Sequence, residues 1–187
     1  MGRQITFPEL LSFQREMNRM PTGIVGVTGS YNVSGWNPPV GVYLNKENPL
    51  NKLSLEQLDG IFGAERSAVW KELTWDKSGA RGPEKNIRTW GQLGLTGEWA
   101  DKPIRPYGPP GLYPGGMSYF QNKVLRGADT SAERLLEFAD RKLMMETMSR
   151  DRYGIAYTGM RYRTKEVKPG AIAENAARAY VEPERDR

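Results

Sequence analysis

The sequence predicts an α/β fold: a three-layer lobe around a mixed, mainly parallel sheet. Three observations carry that reading. Short apolar segments at strand spacing alternate along the chain with amphipathic helical stretches. Twenty-one Gly and thirteen Pro in 187 residues are high for an all-helical protein and suit a loop-rich domain. Residues 40–63 hold a complete strand, turn and short helix. A parallel sheet needs both faces covered, so helices are expected on each side of it. With 38% hydrophobic residues the chain buries one core of reasonable size, so one domain is expected.

The elements follow in order. Residues 7–19 read as a helix, with Pro8 in the tolerated first turn, a stripe of Leu10, Phe13, Met17 and Met20, and Pro21 as the stop. Gly23–Thr28 reads as a strand and is followed by a polar, aromatic-bearing loop, residues 29–39, that includes Trp36. In Val40–Leu44, Val42 and Leu44 alternate with Gly41 and Tyr43, and Asn48-Pro49 breaks the strand into a turn. Ser54 then caps a helix over 54–62, with Gln57 completing a capping box and Leu55, Leu58, Ile61 and Phe62 forming the apolar stripe. Gly60 and Gly63 are expected to stop it early.

Residues 64–101 hold few regular signals and four of the five Trp (Trp70, Trp75, Trp90, Trp99), and so read as an irregular, Trp-anchored segment with short helices. A strand is expected near 103–107. The strongest helix pattern covers 130–148, with Asp129 or Thr130 as the N-cap and Leu135, Leu136, Phe138, Ala139, Leu143, Met144 and Met148 inward. These methionines read as core filler rather than ligands. Strands near 153–158 and 167–172 complete the sheet.

Composition narrows the chemistry. With neither Cys nor His, nucleophilic Ser-His-Asp and Cys-His sites are excluded, as are zinc sites built on those ligands. No catalytic residue, metal or cofactor is expected, and the chain does not read as an enzyme. No run of about 18 apolar residues exists to span a membrane. The N-terminus lacks a basic region followed by an apolar one, so no signal peptide is expected in this chain. The net charge of +5 is interspersed with acids, as at Glu84-Lys85 and Glu133-Arg134, and without a run of five like charges nucleic-acid binding is not expected. It reads as solvated surface or as a positive field around an anion site.

Several segments carry a family resemblance. Asn48–Gly63 resembles the turn and short helix of phosphate-type periplasmic substrate-binding proteins, the soluble receptors of ABC importers. Ile87–Gly94, Lys102–Gly108, Ser118–Leu125 and Asp151–Gly159 resemble later segments of that family in the same order. Val167–Ala173 resembles its return strand and Tyr180–Pro183 the extended segment after it. The resemblance implies a type II periplasmic-binding-protein fold of which this chain holds the second lobe and hinge strands, about 23–173, and lacks most of the first. Residues 1–21 and 174–187 would connect to the absent lobe. It also implies a non-enzymatic solute-binding module for a phosphate-like small anion, an ABC permease as partner, and a periplasmic or extracellular location.

By the same resemblance, the family's ligand Arg falls on Pro109 and its Ser-Gly-Thr turn on Pro114-Gly115-Gly116. What remains is Gly115, Gly116, Met117 and Ser118 at the start of a helix, where backbone N–H groups and a hydroxyl suit an anion, with Tyr113 beside them. Ser30, Tyr31 and Asn37 of the hinge loop complete the expected ligand-binding set. Arg88 and Arg105 are the nearest substitutes for the missing clamp in sequence position. Two alternatives stand beside this reading. The glycines also suit an ordinary turn, and loss of the Arg and hydroxyls also suits a degenerate receptor fold acting as an interaction or structural domain. Phe7, Leu10, Phe13 and Met17, deprived of an absent lobe, are expected to fray or to bury themselves in a homo-oligomeric contact.

Overall fold

The computed structural model describes residues 5, 7–22, 40–71, 74–110, 116–175 and 177–181. In chain order the elements are α1 (Phe7–Met17), β1 (Val40–Asn45), β2 (Lys52–Ser54), α2 (Leu55–Phe62), β3 (Val69–Lys71), β4 (Thr74–Asp76), β5 (Arg105–Gly108), α3 (Gly116–Lys123), β6 (Leu136–Glu137), α4 (Arg141–Ser149), β7 (Gly154–Gly159), β8 (Val167–Pro169) and β9 (Ala171–Ala173). Short 3-10 turns fill much of 77–99. The strand expected at 23–28 lies outside the described residues.

The main sheet has the order β6-β5-β7-β1-β8. β5 is parallel to both β6 and β7, while β1 is antiparallel to β7 and to β8. Four strands therefore run one way and β1 alone opposes them, the mixed, mainly parallel sheet that the sequence predicts. Alternation along the strands divides the interior in two. Val42, Leu44, Ile155 and Tyr157 face a core shared with α2 and α3. Tyr43, Tyr107 and Ala156 face the opposite way, onto Met144, Met145 and Met148 of α4. Helices thus cover both faces, giving three layers.

Local chemistry explains most element ends. Ser54 Oγ accepts from Gln57 N (3.2 Å) and Gln57 Oε1 accepts from Ser54 N (2.9 Å), the predicted capping box. Gly60 does not stop α2. It is there for close approach, because a Cβ would lie 2.8 Å from the Lys85 carbonyl oxygen and 2.9 Å from Ile87. The helix ends at Gly63, which takes an extended rather than a left-handed conformation (φ −77°). α1 ends at Asn18 (φ 50°), ahead of Pro21, and leaves Leu11, Met17 and Met20 exposed while Leu10 is buried.

Three expectations are corrected. The long helix over 130–148 is a turn, a two-residue strand and the shorter α4. Residues 129–131 pair instead with the chain leaving α2, through Ala64 N to Asp129 O (2.9 Å) and Ser131 N to Phe62 O (2.8 Å). Leu136 then joins the sheet beside Tyr107, and Asp140 caps α4 by accepting from Lys142 N (2.8 Å) and Leu143 N (3.1 Å). Second, 167–172 is two strands: β8 extends the main sheet, and past Gly170 the chain turns so that β9 lies parallel to β2. Third, only half of the Trp set anchors residues 64–101. Trp90 and Trp99 are buried and meet edge to face at 6.2 Å, whereas Trp70 and Trp75 are 48% and 50% exposed on the β3–β4 ribbon.

Residues 63–88 are held by a buried ionic cluster instead. Arg66 grips Asp59 with two bonds of 2.8 and 2.6 Å, and Arg81, 3% exposed, lies 3.5 Å from the same carboxylate. Arg81 also donates to Asn86 Oδ1 (2.6 Å) and to the Gly63 carbonyl. Arg134 donates to the carbonyls of Ile61 (3.4 Å) and Ile87 (3.2 Å). These guanidiniums satisfy the carbonyls that the end of α2 leaves without helical partners.

Candidate functional site

Parallel strands deliver their connecting loops to the edge where they end. β5 leaves the sheet at Gly108 and β7 at Gly159. β1, running the other way, enters at Val40, directly opposite Gly159. The chain after residue 110 and the chain before residue 40 therefore join one edge of the sheet. That edge is where the sequence places its two candidate ligand segments.

Of the predicted site residues, Ser30, Tyr31, Asn37, Tyr113 and Gly115 lie outside the described residues, as does Trp36. The backbone of Gly116, Met117 and Ser118 forms the first turn of α3, as expected. The first four N–H groups of a helix have no acceptor within it, so this turn presents donors and the positive end of a helix dipole.

α3 is fixed through its other half. Phe120 stacks on Tyr157 with centroids 3.8 Å apart and planes 10° apart. Phe62 meets both rings edge-on, at 5.4 and 5.2 Å. Val124 and Leu125 are buried behind them, past the helix end at Lys123, and Arg126 and Gly127 then turn the chain at positive φ (55° and 82°). Gly108 permits this packing, since a Cβ there would lie 2.6 Å from Tyr157 Cε1 and 3.1 Å from Leu135. The Tyr157 hydroxyl stays protonated well above the usual tyrosine range, chiefly because it is buried and secondly because Glu137 repels its anion, with Arg141 opposing.

The substitutes Arg88 and Arg105 are not at this edge. Arg105 opens β5 at the opposite end of the sheet and lies 3.4 Å from Asp151. Arg88 precedes β5, its carbonyl accepting from Ile104 N (2.8 Å). Among the described residues, the arginines that stand at the carboxyl edge are Arg161, two residues beyond β7, and Arg141, at the head of α4. Each places its guanidinium carbon 6.0 Å from the ring centre of Tyr162. The signal for Arg161 lay in its position just past a strand end; Arg141 was hidden inside the overlong helix. Glu137 stands at the same edge as an opposing charge, and Pro109 is buried there. Among the described residues no group of three or more carboxylates is placed to hold a metal, and no helix is long and apolar enough to cross a membrane.

Solved structures share this fold. The crystal structure of "a possible phosphate binding protein" from Planctomyces limnophilus superposes with a TM-score of 0.59 at 16% identity, over 97% of this chain and 54% of the other. An ABC-type phosphate transport receptor from Vibrio cholerae gives 0.51 at 16% identity, over 78% and 55%. The chain shares the fold of these two proteins. In sequence, the phosphate-binding protein PstS of Pseudomonas aeruginosa is 28% identical over 182 residues, 97% of this chain and 49% of its own length. Protein SphX of Synechococcus elongatus is 29% identical over 121 residues, 65% of this chain and 30% of its own. The chain thus spans about half the length of PstS. No protein-family model matches it.

Proposed function

We propose that this chain is a non-enzymatic solute-binding module for phosphate or a similar small oxyanion. The observation that carries the reading is α3. It follows β5 in the chain, is held by Phe120 on Tyr157, and its first turn carries N–H groups that have no acceptor within the helix. Backbone donors do not depend on residue identity, so this part of an anion site survives loss of the side-chain clamp. Arg161 supplies positive charge at the same edge. The likeness to PstS over nearly the whole chain supports work within an ABC uptake system, with a permease as partner and a periplasmic or extracellular location. It also supports reading residues 23–173 as one lobe with its hinge strands. The exposed Leu11, Met17 and Met20 of the α1 region suit a contact with a second copy, which light scattering would detect as a dimer.

Calorimetric titration with phosphate, sulfate and acetate tests the reading. Stoichiometric binding of an oxyanion is expected, weakened at least threefold by Gly116→Pro. Proline is tolerated in the first turn of a helix, so this change removes one N–H donor while leaving α3 formed. A second reading, a receptor fold that has lost its ligand, is favoured by buried Pro109 and by Glu137 at the edge. Silence across all three anions would establish it.

A further inference from the structure

At the opposite, amino edge of the sheet lies a hollow of about 460 Å³ lined by Lys46, Arg163, Thr164 and Lys165. We propose that it is a second anion site, separate from the α3 edge, which takes a phosphate-bearing group carrying several charges.

Both segments that wall it are held firmly. Lys46 follows β1, where Asn45 Nδ2 donates to the Ser149 carbonyl (2.8 Å) and Asn45 Oδ1 accepts from Glu47 N (3.0 Å). Lys46 N donates to the Glu166 carbonyl (3.1 Å), stitching that turn to the 163–166 segment just before β8. The three cationic residues therefore line a seam between two tied backbones rather than a free tail.

The hollow's charge is uncompensated. No carboxylate lines it, and Lys46, Arg163 and Lys165 form no ion pair among the described residues. Nearby Glu47 is engaged elsewhere, with its carboxylate 2.5 Å from Arg152. Cations that line one hollow without a counter-charge attract an anion with several oxygens. Arg163 suits two oxygens of one phosphoryl group, and the lysines act as point charges on its neighbours.

The phosphoryl group could come from a free condensed phosphate or from a lipid headgroup, and two arms separate the sources. In the first, the protein is titrated calorimetrically with inorganic pyrophosphate and tripolyphosphate. In the second, it is sedimented with vesicles of phosphatidylglycerol or of phosphatidylcholine. The proposal expects binding in at least one arm, tighter at low salt, and at least tenfold weaker in K46Q/R163Q/K165Q. These side chains are surface groups, so the variant is expected to keep the wild-type circular dichroism; Lys165→Glu alone, expected to weaken binding at least threefold, serves if it does not. Gly116→Pro should leave this binding unchanged. Absence of binding in both arms, equal binding by the variants, or loss through Gly116→Pro would each overturn the proposal.

Discussion

Phe120 lies flat on Tyr157, 3.8 Å between centroids, so one helix of the candidate site is registered against one strand of the sheet by a single aromatic stack. Phe120→Ala removes the stack and the edge contact with Phe62, leaving a cavity under α3. Loss of about 3–5 kcal/mol is expected in urea unfolding. Phe120→Leu should cost less, and any oxyanion affinity should fall with both because the first turn of α3 loses its anchor.

The Asp59 cluster gives the opposite kind of test. Asp59 balances two buried guanidiniums, so Asp59→Asn leaves Arg66 and Arg81 without their counter-charge and should destabilise by about 3–5 kcal/mol. Replacing Asp59 and Arg66 together by Leu and Met should recover only part of that loss in the same urea series, since it removes one desolvated pair but leaves Arg81 without its counter-charge.

Alkaline stability follows from Tyr107. Its hydroxyl donates to Asp151 (2.9 Å), and its pKa is pushed up to about 12 by burial first, then by that bond and the aspartate's charge, with Arg105 opposing. An unfolded tyrosine titrates near about 10. The folded chain therefore holds the proton where the unfolded chain releases it. This contribution is complete below pH about 10 and is lost as the pH rises through about 12. Urea midpoints should fall across that interval. In Tyr107→Phe the fall should be shallower but still present, because Tyr157 is raised as well.

Trp70 and Trp75 face each other across the β3–β4 ribbon, with centroids 4.8 Å apart. Two-stranded ribbons are marginal alone, and a cross-strand aromatic pair is a usual remedy. Trp75→Ala should speed hydrogen exchange of the ribbon amides by about tenfold or less while shifting the global urea midpoint little.

The sequence by itself determined the elements whose signals are local. The Ser54–Gln57 box, the alternation in Val40–Leu44 and the strand expected near 153–158 (observed at Gly154–Gly159) are written in residues within a few positions of one another, and short-range geometry reads them directly. It also excluded His- and Cys-dependent chemistry outright. The tertiary structure decided what depends on partners distant in the chain. Leu136 and Met144 share one apolar pattern, yet pairing with Tyr107 makes the first a strand residue while the Asp140 cap starts the helix of the second. Arg105 looked like a clamp by position, but strand direction sends it to the edge opposite α3. Arg141 and Arg161 come together around Tyr162 only because β6 and β7 end at the same edge. Side-chain pattern fixes which face a residue turns inward; sheet order and strand direction fix which edge its neighbours occupy, and a site is built at an edge.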